Sequence, residues 1–314
     1  MLPANTGQSL QNAAILRRFA GGAPANLAVG LARLGIKVAF IGKVGNEPFG
    51  WHLREVLIKN KVLVEGLRFS DKFPTGLTFA WVNKENGEPE YLFYDSLRAD
   101  YYLQTDEVDW EWFKSAQIFQ FSSTSLAKNP TGETTLVALQ TAFEGGQLVS
   151  YDVNIRMPAW ADRQIARQKM LEVLPNCHIV KLNRHELAFL AEEKDIVTGA
   201  SKLWQSHFKV LLVTMDNEGC YYRTARHEGK LDAFKVKIAD TVGSGDGWMA
   251  GFLAKVLEHG AQNFDFSDEN KIAEACRFAN AVGALTSTKS GAMTALPTRK
   301  KTDSFLKSMI KIND

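Results

Sequence analysis

The chain has 314 residues, 45% of them hydrophobic and 23% charged, an ordinary composition for one large α/β domain or for two domains. With 37 basic against 35 acidic residues and a net charge of +2, nothing suggests a nucleic-acid footprint, and no apolar run approaches the roughly 20 residues of a membrane span. Cys177, Cys220 and Cys276 are isolated and odd in number, so they read as reduced, buried thiols of a cytoplasmic protein, not as a disulfide framework or a zinc site.

In chain order, Met1 to Gly7 carries neither a charged n-region nor an apolar h-region, so no signal peptide is expected. Residues 24–34 have helical spacing, with Leu27, Leu31 and Leu34 on one face and Gly35 as the stop. A short buried strand is expected over 37–42 and a helix over 49–59. The pattern then changes: 77–82 and 90–94 alternate like strands around the turn signal Asn83-Lys-Glu-Asn-Gly-Glu-Pro. This hairpin is expected to project as a small β element, a lid at about 68–98. Beyond it, apolar strands over 118–121, 148–151, 179–182 and 210–214 alternate with helices over 132–143, 163–173 and 185–191. Such alternation predicts a parallel sheet with helices on both faces. There is no internal repeat or long linker, so residues 1–314 are expected to form a single domain.

Residues 240–253 read Asp-Thr-Val-Gly-Ser-Gly-Asp-Gly-Trp-Met-Ala-Gly-Phe-Leu. A strand is expected over 235–239, then a glycine turn, then an amphipathic helix with Phe252, Leu253, Val256 and Leu257 as its apolar stripe. Gly243 and Gly245 permit positive φ and crowd backbone N–H groups together. Free N–H groups at a helix start attract anions, and Asp246 sits at that start. A carboxylate there suits a hydroxyl better than a phosphate, so the arrangement reads as a base beside an anion hole. An N-cap Asp after a flexible turn gives the same letters. A dinucleotide fingerprint would need Gly at 248, which is Trp248, and the P-loop pattern is absent. His185-Glu186 cannot begin a metalloprotease motif, because position 189 is Phe189.

Ligands of open parallel sheets bind beyond the carboxyl ends of the strands. Four groups lie there: Ser122-Ser123; Asp152, Asn154 and Arg156; Asn183 and Glu186; and Thr214 to Gly219. Each has a structural alternative. Asp152 and Asn154 can form a turn, and Asn183 can cap the next helix.

Two separated motifs resemble the PfkB/ribokinase carbohydrate kinases. The first is Gly21-Gly22-Ala23-Pro24-Ala25-Asn26-Leu27-Ala28, followed by Gly35 and Gly45; the second is Asp240 to Leu253. Residues 291–297 and Tyr151-Asp-Val-Asn-Ile-Arg156 look most like the fructokinase branch, and the resemblance spans about residues 15–298. It implies a ribokinase-like three-layer α/β/α fold, a mostly parallel sheet and a β lid. It also implies ATP-dependent phosphorylation of a primary hydroxyl, that of fructose before others, with a nucleoside or aminoimidazole riboside as the alternative acceptor. By the same resemblance Asp246 is the base, and the N–H groups of Gly243, Ser244 and Gly245 form the anion hole. Gly22, Ala23, Asn26, Ser122, Ser123 and Arg156 face the sugar. Asn183, Thr214, Gly219 and Asn280 belong to the nucleotide side, and Glu186 holds Mg²⁺ through water. Carbonyls around Asp240, Val242, Thr286, Lys289 and Gly291 correspond to a monovalent cation site, usually K⁺. The lid often forms a dimer contact. Two departures stand out. Ser244 replaces the family's Ala, and Gly247-Trp248 opens the helix. In addition, Met1-Leu2-Pro3-Ala4 looks like the residues just after the family's first strand, so that strand and its sugar-binding Asp are expected to be missing. A catalytically weak, kinase-like binding or regulatory protein is the reading that this absence favours.

Overall fold

A computed structural model describes residues 1–4, 9–82, 89–94, 97–258 and 260–313. The first part of the chain contains β1 (Leu2–Pro3), β2 (Leu16–Arg17), α1 (Ala23–Arg33), β3 (Ala39–Gly45), α2 (Pro48–Lys59) and β4 (Leu63–Ser70). The hairpin strands β5 (Leu77–Val82) and β6 (Pro89–Tyr94) follow, then α3 (Trp110–Lys114), β7 (Ile118–Ser122), α4 (Thr131–Glu144), β8 (Leu148–Asp152) and α5 (Arg163–Glu172). Next come β9 (Ile179–Asn183), α6 (Arg184–Ala191), α7 (Ile196–Leu203), β10 (Val210–Thr214), β11 (Cys220–Arg223) and β12 (Glu228–Leu231). The chain continues through α8 (Ser244–Glu258), α9 (Glu269–Ser287), α10 (Ala292–Ala295) and α11 (Arg299–Asn313).

The main sheet has the order β12-β11-β10-β9-β8-β7. β7 to β10 are parallel, and β11 and β12 continue the sheet antiparallel. The period-2 pattern of its strands sorts the core into two layers. Val149, Tyr151, Val180, Leu182, Leu211 and Val213 pack with Leu139, Met170, Leu187 and Leu203 on one face. Leu148, Ile179, Val210 and Leu212 pack with Leu31, Met249, Leu253 and Val282 on the other. The expected sheet with helices on both faces is therefore observed, with the antiparallel β11–β12 edge added.

Two expectations need correction. Residues 232–240 form no regular secondary structure: the backbone expected as a strand over 235–239 pairs with one carbonyl, that of Ser287, through the Ala239 N–H at 2.8 Å. Helix α8 is not amphipathic, because residues 246–254 are all buried. It lies between the sheet and its neighbours α1 and α9, and a helix enclosed on every side needs no polar stripe. Gly247 costs helix propensity, yet a Cβ there would lie 2.6 Å from Thr286 Oγ1, so the close approach of α8 to α9 requires glycine. The turn signal at 83–88 lies outside the described residues, but the strands around it pair antiparallel from Leu77↔Tyr94 to Val82↔Pro89, as a hairpin should.

The main sheet ends at β7, while β3 pairs only with β4 among the described residues. Between these two edges runs a cavity of about 1210 Å³, walled by Phe40 to Val44 on one side and Phe119 to Phe121 on the other. Residues 1–3 lie against β2 and β5: the Met1 amino group donates to Thr78 O at 2.7 Å, and the Ala80 N–H donates to Met1 O at 3.0 Å.

Candidate active site

The same cavity extends to the first turns of α1 and α8, which both begin behind a glycine at positive φ. Gly22 has φ 109° and Gly243 has φ 82°, where side chains are strained. A Cβ at Gly243 would also lie 2.9 Å from Ala292 Cβ. The Ser244 N–H donates to Thr241 O at 3.1 Å, and the Gly247 N–H to Gly243 O at 2.8 Å. Of the three N–H groups expected to form an anion hole, one is therefore already engaged. The Ser244 N–H is spent in the turn, leaving those of Gly243, Gly245 and Asp246 without an acceptor among the described residues.

Asp246 is only 7% exposed and lines the cavity. Its Oδ2 accepts from Asn26 Nδ2 at 2.7 Å and its Oδ1 from Asn154 Nδ2 at 3.1 Å. Burial raises its pKa above the usual carboxylate value; the Asn26 hydrogen bond, the charges of Arg156 and Lys181, and the Asn154 hydrogen bond oppose the rise without cancelling it. Asn26 Oδ1 is buried and has no partner, an acceptor that a hydroxyl donor would satisfy. Gly22, Ala23, Ser122 and Arg156 line the cavity with it. Arg156 donates to Ile155 O at 2.9 Å. Ser123, also expected to face the sugar, does not line the cavity. It is fully buried behind the wall, with its hydroxyl 3.4 Å from Asn154 O.

Among the residues expected on the nucleotide side, Asn183 and Glu186 close a capping box. Asn183 Oδ1 accepts the Glu186 N–H at 2.9 Å, and Glu186 Oε2 accepts the Asn183 N–H at 2.8 Å. Glu186 Oε1 accepts the Ile155 N–H at 2.8 Å, tying the start of α6 to the loop after β8. Both residues line the cavity, as do Thr214 and Gly219. Gly219 is held at φ 95°, where a Cβ would meet Leu231 O at 1.9 Å. Asn280 differs from expectation. Its amide accepts from Trp248 Nε1 at 2.7 Å and donates to Leu231 O and Asp232 O at 3.3 and 3.0 Å. It shapes the wall and has little capacity left for a nucleotide.

The expected cation segments do meet. Asp240 Oδ1 accepts the Val242 N–H and Oδ2 the Gly291 N–H, each at 3.0 Å, so its carboxylate clamps one loop to the other. Thr286 Oγ1 is spent on Val282 O at 2.7 Å, and the Lys289 side chain is exposed; only carbonyls of these residues suit a cation. Among the described residues no three His, Cys, Asp or Glu side chains gather as a metal cage. Mg²⁺ commonly keeps waters and binds through substrate phosphates and one or two carboxylates, so Glu186 at the cavity wall fits an ion held through water.

Three wall residues, Lys181, Arg98 and Asp100, were not picked out by sequence reasoning. Lys181, 4% exposed, pairs with Asp152, 2% exposed, at 3.0 Å. The signal was a lysine inside an apolar strand run, Ile179-Val-Lys-Leu. Arg98 and Asp100, joined by hydrogen bonds of 2.9 and 2.5 Å, line the lid side; the segment between lid and core carried no periodic signal.

Residues 3–299 match the model of the pfkB family carbohydrate kinases. The chain belongs to the pfkB family of carbohydrate kinases. It is 38% identical to Fructokinase-1 of Zea mays over 95% of this chain and 91% of that relative. Its structure is similar to that of a fructokinase from Vibrio cholerae O395 in a fructose-, ADP- and calcium-bound form. That match has a TM-score of 0.85 and 30% identity, covering 97% of this chain and 94% of the other. A fructokinase from Xylella fastidiosa with bound ATP gives a TM-score of 0.87 and 31% identity over 96% and 94%. This pfkB chain is a fructokinase-like phosphotransferase, and no helix among its described residues is long and apolar enough to cross a membrane.

Proposed function

We propose that this kinase transfers the γ-phosphoryl group of ATP to O6 of fructose. The observation that carries the reading is Asp246: a buried carboxylate of raised basicity beside unspent N–H groups of its own helix start. The hydroxyl of the sugar lies against Asp246, and Asn26 Oδ1 accepts from a neighbouring hydroxyl. Asp246 takes the proton as the oxygen attacks phosphorus, the bond from phosphorus to the bridging oxygen of ATP breaks, and ADP leaves. The N–H groups of Gly243 and Gly245 meet the charge that develops on the transferring group. Mg²⁺, held through water beside Glu186, would neutralise phosphate charge. K⁺, bound by carbonyls of the two segments that Asp240 clamps, would add positive charge near the anion hole. The exposed Leu92 and Tyr94 of the lid suit contact with a second copy of the chain.

The test is to incubate the full chain with ATP and Mg²⁺ and to measure ADP release with fructose, glucose, ribose, adenosine and aminoimidazole riboside. Fructose is expected to give the highest kcat/KM. A higher value for either riboside would transfer the assignment to the nucleoside branch, and no release above the sugar-free rate would leave the regulatory reading.

A further inference from the structure

Lys181 stands on β9, in register opposite Asp152 of β8. Strand alternation turns both side chains toward the face that α8 covers, and both are almost fully buried. Removing an ammonium from water costs several kcal/mol, and an apolar pair of similar volume often serves a fold equally well. The pair therefore needs a reason beyond stability. Lys181 Nζ makes one hydrogen bond within the protein, to Asp152 Oδ1, although an ammonium carries three donors. A methyl group placed on Gly245 would lie 3.2 Å from Nζ, so the ammonium rests against the first turn of α8, where the Gly245 N–H is unspent.

Neither neighbouring carboxylate, Glu186 or Asp246, hydrogen-bonds Lys181 among the described residues. Both oxygens of Glu186 accept backbone N–H groups, and both of Asp246 accept side-chain amides. Two unspent ammonium hydrogens and an unspent helix start thus converge on the cavity wall, where the charges of Glu186 and Asp246 help to keep the ammonium protonated without hydrogen-bonding to it. What completes the arrangement is an anion from outside.

We infer that Lys181 is a further catalytic residue, whose ammonium binds an oxygen of the transferring phosphoryl group from the sheet side of the anion hole. This rests on the kinase reading above. Charge in phosphoryl transfer spreads over three equatorial oxygens, and the N–H groups of one helix turn reach them from one side only. A fixed ammonium on another side stabilises the charge as it develops. Asp152 holds the ammonium in place. Its own carboxyl is pushed up to about 7 by burial, against the pull of Lys181, so it can take up a proton if its partner is removed.

The experiment compares the parent with Lys181→Met and with the double variant Lys181→Met/Asp152→Leu. Lys181→Met is expected to lower kcat about 10²–10³-fold, the usual effect of removing one such donor. ADP affinity is expected to stay within about threefold, and affinity for ADP with aluminium fluoride, which mimics the transferring group, to fall more than about tenfold. The double variant should melt at or above the temperature of Lys181→Met and remain as slow. Recovery of kcat by the double variant to within about threefold of the parent would reduce Lys181 to a companion of Asp152. Unchanged ADP–aluminium fluoride affinity in Lys181→Met would show that the ammonium does not touch the transferring group. If the parent phosphorylates no acceptor, the functional reading fails, while the two nucleotide titrations still decide the role of Lys181.

Discussion

Asp246 and Glu186 occupy the same place on two helices. Each is the third residue of its helix, each is nearly buried, and each borders the cavity. They differ in what their oxygens hold. Glu186 reaches back to its own N-cap, and its carboxylate accepts two backbone N–H groups, those of Asn183 and Ile155. Asp246 is one methylene shorter, follows a turn in which residue 243 has no side chain, and accepts from the amides of Asn26 and Asn154. Backbone donors are fixed by the fold, so Glu186 serves chiefly to join two segments. Side-chain amides hold Asp246 in place and leave its charge facing the cavity. Position on a helix therefore does not decide the role of a carboxylate here; the donors around it do.

Exchanging each carboxylate tests that contrast. Asp246→Asn is expected to lower kcat about 10²–10⁴-fold, the usual loss on removing a general base, while the melting temperature and ATP affinity stay close to parental. Turnover within threefold of the parent would mean that Asp246 is not the base. Glu186→Ala should behave in the opposite way. Two N–H groups lose their acceptor, at about 1–3 kcal/mol for each that stays unsatisfied, so the melting temperature should fall by several degrees. The Mg²⁺ concentration for half-maximal rate should rise, with little change in sugar KM. An unaltered melt together with a fall in kcat as deep as that of Asp246→Asn would erase the distinction between the two carboxylates.

Much of this site was legible in the sequence because its signals are local. The glycine turn at 243–245, the capping box at 183–186 and the apolar runs of β7 to β10 each occupy a few adjacent residues. What stayed hidden depends on distant partners. The pairing of Asp152 with Lys181 follows from the register of β8 against β9. The commitment of Asn280 follows from α9 meeting α8 and the end of β12. Enclosure of α8 made an expected stripe meaningless, since Phe252 and Leu253 are no more buried than Ala250 and Ala254. The division between the β3–β4 pair and the main sheet that ends at β7 also stayed hidden, because no local pattern of a strand shows which strand lies beside it.

The smallest expected effect separates the two carboxylates by pH. A base acts only when ionised, so kcat/KM should fall as pH drops through the pKa of Asp246, which burial sets above the ordinary aspartate value. The Asn154 amide favours the charged form and holds that pKa down. Asn154→Gly removes the amide and tolerates the backbone, which has φ 39° at this residue. A hydrogen bond to a charged group is worth about 1.5–3 kcal/mol, and one pH unit corresponds to about 1.4 kcal/mol. The acid limb of the profile should therefore move upward by about one pH unit, so that the variant loses more activity at pH 6 than at pH 8. Glu186→Gln keeps one acceptor oxygen and leaves Asn154 in place, so its acid limb should stay where the parent's lies. A limb that moves in the Glu186 variant and not in Asn154→Gly would show that the titrating base belongs to α6, and the roles of the two carboxylates would be exchanged.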